Sequence, residues 1–170
     1  PDDGAAKRFK DLFTDELEAL PGLTIVICGK VRDGDRRIVR VQDGDPRDQN
    51  VVIVDDLVQT GGTLYECGVA LRALGARSVS AFVAHGVFPR QVGPVPHVIP
   101  RDSLHGLSAR ARTPRNDQAW ARFARDGDRN VFERFWVTNS IPTTTSELPE
   151  NDVFHVIDIA PQVIHDLDHF

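Results

Sequence analysis

Apolar positions in the first twenty residues recur at intervals of three and four: Ala5, Ala6, Phe9, Leu12, Phe13, Leu17 and Leu20. That spacing puts them on one face and predicts an amphipathic helix over residues 4 to 20, closed by Pro21-Gly22. The pattern then changes. Leu23 to Ile27 reads as a short apolar strand, a charged loop follows, and Ile38 to Val41 reads as a second strand before the turn Asp43-Gly-Asp-Pro46. Val51 to Val54 is a run of β-branched residues that predicts a central buried strand. Leu64, Cys67, Leu71 and Leu74 return to helical spacing, with Gly75 placed to end that helix. Val79 to Val83, Phe135 to Val137 and Phe154 to Ile159 read as further strands, and Pro161 to Leu167 as a terminal helix with proline in its first turn. Residues 89 to 132 break the alternation. They are rich in proline and turn residues, and they predict a long surface excursion ending in a short helix near Trp120 and Phe123. Strands and helices that alternate imply an α/β fold, a mostly parallel sheet flanked by helices and joined by right-handed crossovers.

Size fits one domain over residues 1–170, and an apolar share of 41% is sufficient for an ordinary core. No apolar run approaches the length of a membrane span, and no signal peptide is evident, so the expectation is a cytoplasmic protein without a membrane partner. The chain begins at Pro1 and contains no methionine, which suggests a partial polypeptide. Cys28 and Cys67 stand apart in apolar surroundings and read as buried thiols of a reducing compartment rather than as a disulfide. A formal charge of −5 argues against a nucleic-acid partner. Local positive charge gathers instead at residues 30 to 40, where Lys30, Arg32, Arg36, Arg37 and Arg40 face only Asp33 and Asp35.

The most informative stretch is Val51-Val-Ile-Val-Asp-Asp-Leu-Val-Gln-Thr-Gly-Gly-Thr63. A strand delivers two adjacent carboxylates, Asp55 and Asp56, and then a Thr60-Gly61-Gly62-Thr63 turn that opens a helix. Backbone N–H groups of such a turn approach an anion closely because glycine carries no side chain, and the helix start adds its positive dipole end. Carboxylates are wrong for phosphate but right for accepting hydrogen bonds from neighbouring hydroxyls. A ligand with both a phosphate and a vicinal diol satisfies both halves, and ribose 5-phosphate is one. In open α/β sheets, ligands bind beyond the carboxyl ends of the strands. Asp55, Thr138 and the loop after Ile27 all fall at such ends, and Thr138, Asn139 and Ser140 are expected to form a neighbouring wall.

The same residues carry a family resemblance. Asp55 to Thr63 resembles the phosphoribosyl-diphosphate (PRPP) loop of type I phosphoribosyltransferases and of PRPP synthetases, the ribose-phosphate diphosphokinases. Pro1-Asp-Asp-Gly-Ala-Ala-Lys-Arg8, Lys30-Val-Arg32 and Phe135-Trp-Val-Thr-Asn-Ser-Ile-Pro142 are similar to three segments of the synthetase in particular, with Ala84-His-Gly-Val-Phe88 and Val156-Ile-Asp-Ile159 in the expected order. The resemblance is collinear over the chain except from about 90 to 132, and it implies the C-terminal half of a synthetase, with the N-terminal half outside this sequence. It implies a phosphoribosyltransferase-like fold and transfer of diphosphate from ATP to the C1 hydroxyl of ribose 5-phosphate, giving PRPP and AMP. By the same resemblance Lys30 and Arg32 are the catalytic pair, Asp2 belongs to a Mg²⁺ site, and His85 is structural. The family is usually a homo-oligomer.

Two alternatives stay open. A phosphoribosyltransferase that consumes PRPP shares the Asp55–Thr63 loop but needs a hood that recognises a base. A non-catalytic regulatory subunit would keep the fold and the seat but lose the Lys-x-Arg pair, which is present here. His165 and His169, four apart on the terminal helix, could in principle hold a metal but have no apparent third ligand, and read as a solvated face.

Overall fold

The computed structural model describes residues 1–2, 4–9, 13, 22–33, 36–89, 119–124, 130–150 and 153–169, with backbone alone at 30–33 and 36–38. The expected helix over 4–20 is helical at residues 4–9 and 13, and the rest of it lies outside the described residues. Most of the 89–132 excursion does too.

Two sheets are present among the described residues. Strands β1 (Ile27–Asp33) and β2 (Arg36–Asp43) form an antiparallel pair. Strands β3 (Asn50–Val58), β4 (Ser78–Gly86), β5 (Phe135–Thr138) and β6 (Phe154–Ile157) form a parallel sheet in the order β3-β4-β5-β6. The helices are α1 (Gly62–Ala73), the single turn α2 (Pro142–Thr145) and α3 (Ala160–Asp168), with a 3-10 turn at Ala119–Phe123.

Three expectations need correction. Leu23 to Val26 are not in a strand, which starts at Ile27 and runs on through the residues read as a charged loop. Residues 30–33 carry no apolar alternation to mark a strand, and it is the ladder to β2 that defines one there. Nor is β3 central. It is an outer strand of the parallel sheet, and Val52 on it is 49% exposed. The β-branched run looks uniform in sequence, yet alternate residues of a strand face opposite ways, and here only Ile53 is fully buried. The last strand, read to Ile159, ends at Ile157.

The core sits on one face of the parallel sheet. Val79, Ala81, Val83, Phe135 and Val137 are wholly inaccessible. The register pairs Ala81 with Phe135 and Val83 with Val137, and cross-strand partners share a face. Leu64, Cys67 and Leu71 of α1 are buried in the same core. Phe88, Phe123, Phe132, Phe135 and Phe154 form an aromatic cluster, with Phe123 and Phe135 centroids 4.9 Å apart. Each tilted or edge-to-face contact adds roughly 0.5–1.5 kcal/mol to simple burial.

The end of α1 shows local sequence setting the fold. Gly75 has φ +92°, Ala76 N–H donates to Leu71 O and Gly75 N–H to Arg72 O. This is the Schellman arrangement, and it needs a residue that tolerates the left-handed region.

Candidate active site

At the carboxyl end of β3 the chain turns through Gln59 and Thr60 into α1. Gly61, at φ +73°, makes that turn. A Cβ at Gly61 would collide with the Phe123 ring, so only glycine lets the loop lie flat on the aromatic cluster. No side chain caps the start of α1, although Tyr65 N–H reaches back to Gly61 O at 2.9 Å. The first-turn donors therefore remain directed outward, where an anion would meet them.

A cavity of about 310 Å³ opens beside this loop, lined by Asp2, Arg8, Asp55, Asp56 and the whole stretch Leu57 to Leu64. It brings together seven residues singled out from sequence: Asp2, Asp55, Asp56, Thr60, Gly61, Gly62 and Thr63. Arg8 was quoted in a motif but given no role. Its Nη2 donates to Asp56 Oδ1 at 3.0 Å and to Asp55 Oδ1 at 3.4 Å.

The two carboxylates differ. Asp55 is the less exposed, and its pKa is raised, first by burial and then by the hydrogen-bonded Asp56 carboxyl. Its own backbone neighbour works against this, since Asp56 N–H donates to Asp55 Oδ1 at 3.0 Å. Arg8 lies nearer Asp56 and is about half exposed, so its charge is too screened to reverse the effect at Asp55.

Asp2 is held at two points. Its Oδ1 accepts from Ala5 N–H at 3.1 Å and its carbonyl from Ala6 N–H at 3.0 Å, which starts the helical segment over Asp55 and Asp56. Carboxylates from two segments around one polar cavity suit a hard cation that completes its shell with water and phosphate oxygens. No group of three metal-binding side chains is assembled among the described residues.

The expected wall residues lie elsewhere on the sheet edge and bond inward. Thr138 Oγ1 donates to Ala84 O at 2.6 Å, and Ser140 Oγ donates to the same carbonyl at 3.1 Å. Ser140 has one hydroxyl proton, so His85 Nδ1, 2.8 Å from Ser140 Oγ, must be the donor in that contact. Asn139 Nδ2 donates to Asp158 Oδ1 at 2.7 Å while its Oδ1 accepts from Ile159 N–H at 3.1 Å. These side chains stitch the ends of β4, β5 and β6 together and do not line the cavity.

Lys30 and Arg32, expected in a loop, are in β1, opposite Val39 and Arg37 of β2. Their side chains lie outside the described residues. A Cβ at Gly29 beside them would meet the far end of the Gln42 side chain, which has room to turn aside, so glycine is not required there.

A second cavity of about 350 Å³ is lined mainly by apolar groups from the N-terminal segment, residues 22–28, β3 and α1. It lacks the convergent charges of the first, and it is the polar cavity that holds the loop.

The phosphoribosyl transferase domain model matches residues 15–93, a span that contains the whole Asp55–Thr63 loop. The ribose-phosphate pyrophosphokinase 3 of Oryza sativa subsp. japonica, described as chloroplastic, is 38% identical over 163 residues, or 94% of this chain and 32% of that protein. Ribose-phosphate pyrophosphokinase 4 of Arabidopsis thaliana is 40% identical over 165 residues, 96% of this chain and 39% of that protein. Over nearly its whole length the chain is similar to part of the ribose-phosphate pyrophosphokinases. The crystal structure of phosphoribosylpyrophosphate synthetase from Mycobacterium smegmatis superposes with a TM-score of 0.61 at 22% identity, covering 94% of this chain and 41% of that one, and shows the shared fold. The chain spans about a third to two fifths of the curated pyrophosphokinases it matches.

Proposed function

We propose that the protein containing this chain transfers diphosphate from ATP to the C1 hydroxyl of ribose 5-phosphate, releasing AMP, and that this chain supplies the ribose 5-phosphate seat. The carrying observation is the cavity in which an uncapped helix start and a Thr-Gly-Gly-Thr turn face two adjacent carboxylates. Backbone N–H groups of residues 61–63 and the hydroxyls of Thr60 and Thr63 hold the 5-phosphate. Asp55 and Asp56 accept from the vicinal hydroxyls and fix which oxygen faces the donor. The site thus orients the C1 oxygen for in-line displacement at the β-phosphorus of ATP, where positioning and charge neutralisation supply most of the catalysis.

Lys30 and Arg32 are assigned to the phosphate chain of ATP. Both charges favour the transition state, in which negative charge builds on the transferred group. Asp2, beside the two loop carboxylates, is the residue that would hold Mg²⁺ together with water and phosphate oxygens, and the ion would supply screening of the ATP phosphates. We assign residues 1–170 to one phosphoribosyltransferase-like domain of a longer, cytoplasmic, homo-oligomeric protein. No helix among the described residues is long and apolar enough to cross a membrane.

The test is AMP release from ribose 5-phosphate, ATP and Mg²⁺ by the full-length protein. Lys30→Ala should lower kcat by orders of magnitude while ribose 5-phosphate still binds. Product formation from PRPP and a free base, with no AMP released, would overturn the assignment.

A further inference from the structure

We infer that Arg122, carried by the 3-10 turn Ala119–Phe123, is a binding residue for the phosphomonoester of the ligand in the loop cavity. This rests on the phosphate seat proposed above. The anchoring comes from Phe123, which is 2% exposed and packed against Phe88, Phe132, Phe135 and Tyr65. Phe123 also lies directly beneath Gly61, so the turn is pressed onto the loop itself. The residue before it is then delivered to the mouth of α1: a Cβ built on Gly62 would lie 3.7 Å from Arg122 Nη1 and 4.0 Å from Thr60 Oγ1.

A cation at this place is unfavourable by itself. The start of a helix is its positive end, and a guanidinium there is repelled unless an anion lies between them. Among the described residues no carboxylate pairs with Arg122. Arg8, by contrast, is engaged by Asp55 and Asp56 on the acidic side of the loop cavity. The loop is therefore polarised, with carboxylates at the end of β3 and a second arginine beside Gly62, just outside the residues that line the cavity. A ligand with hydroxyls at one end and a doubly charged phosphate at the other matches that polarity in one orientation only. The guanidinium fork suits two phosphate oxygens at once, which backbone N–H groups and a lysine cannot reproduce.

The experiment compares D-ribose 5-phosphate with D-ribose, by calorimetry on the full-length protein and on its Arg122→Gln and Arg122→Lys variants. Arg122→Gln should weaken ribose 5-phosphate roughly ten- to a hundredfold, the range of one charge-assisted hydrogen-bonded contact, and leave D-ribose unchanged. Arg122→Lys should keep part of the affinity. Circular dichroism melts check that each variant folds as the parent does. Equal losses for both sugars, or no loss for ribose 5-phosphate in a folded Arg122→Gln protein, overturn the role of Arg122 while the seat stands. Failure of the parent protein itself to bind ribose 5-phosphate sinks the seat and the inference together.

Discussion

Arg8 Nη2 stands 3.0 Å from Asp56 Oδ1 and 3.4 Å from Asp55 Oδ1, so one guanidinium serves both carboxylates at the end of β3. Adjacent carboxylates repel, and a counter-charge lowers that repulsion. A divalent cation attracted to the same oxygens has to compete with Arg8. Arg8→Ala should therefore raise Mg²⁺ affinity several-fold, measured by calorimetry. Stability should change by no more than about 1 kcal/mol, because the bridge is half exposed. A fall in Mg²⁺ affinity would show that Arg8 does not occupy the cation's place.

Gly61 is constrained twice, by φ +73° and by the Phe123 ring beneath it. Gly61→Ala should cost about 1–3 kcal/mol in urea denaturation, from left-handed strain plus overpacking. Phe123→Leu should recover part of that cost, so the double mutant is less destabilised than the two single effects combined. Strict additivity would mean the ring does not press on the loop.

Asp55 titrates above its ordinary range because burial and Asp56 disfavour its charge. The folded state then holds this proton more tightly than the unfolded chain does. Its contribution is fully present below the ordinary value of 3.8 and is lost as pH rises through the raised one. Asp55→Asn removes this liability. The variant's melting temperature should gain on the parent's as pH increases through that window and then level off, while ribose 5-phosphate binding is lost. A difference independent of pH would contradict the assignment.

Cys28 and Cys67 are both buried and free, and they interact. The hydrogen bond from Cys67 lowers Cys28 from 9.0 to about 7, against the effect of burial, while Cys67 is pushed far up. Alkylation by iodoacetamide, followed by peptide mass spectrometry, should select Cys28 and show an inflection near neutrality. Cys67→Ala should move that inflection toward the ordinary thiol value, and equal labelling of both cysteines would refute the pairing.

What could be read from sequence was what is local. The strand, carboxylate pair, glycine turn and helix from Val51 to Gly75 are encoded by neighbours, and the structure keeps them in order. Asp2 was assignable only by resemblance, and its approach to Asp55 and Asp56 is a long-range event. Arg122 and Phe123 were invisible as site residues for the same reason: a short turn after an irregular stretch carries no periodicity that says what it touches. Of the β1–β2 ribbon, the second strand was read at Ile38 to Val41, but the first was placed too early, at Leu23 to Ile27, because Lys30 to Asp33 carry no apolar alternation. Thr138, Asn139 and Ser140 sit at the expected strand ends, but sequence could not reveal that their polar groups bond to one another's strands.

The carbonyl of Ala84 receives both Thr138 and Ser140. Two hydroxyls on one acceptor act as a rivet just past the last ladder contact between β4 and β5, where parallel strands would otherwise splay. The slab that carries the cavity floor is thereby stiffened at its business end, and the β1–β2 ribbon, which shares no ladder with it, is moored to α1 instead, through Cys28 and Val39 in the common core.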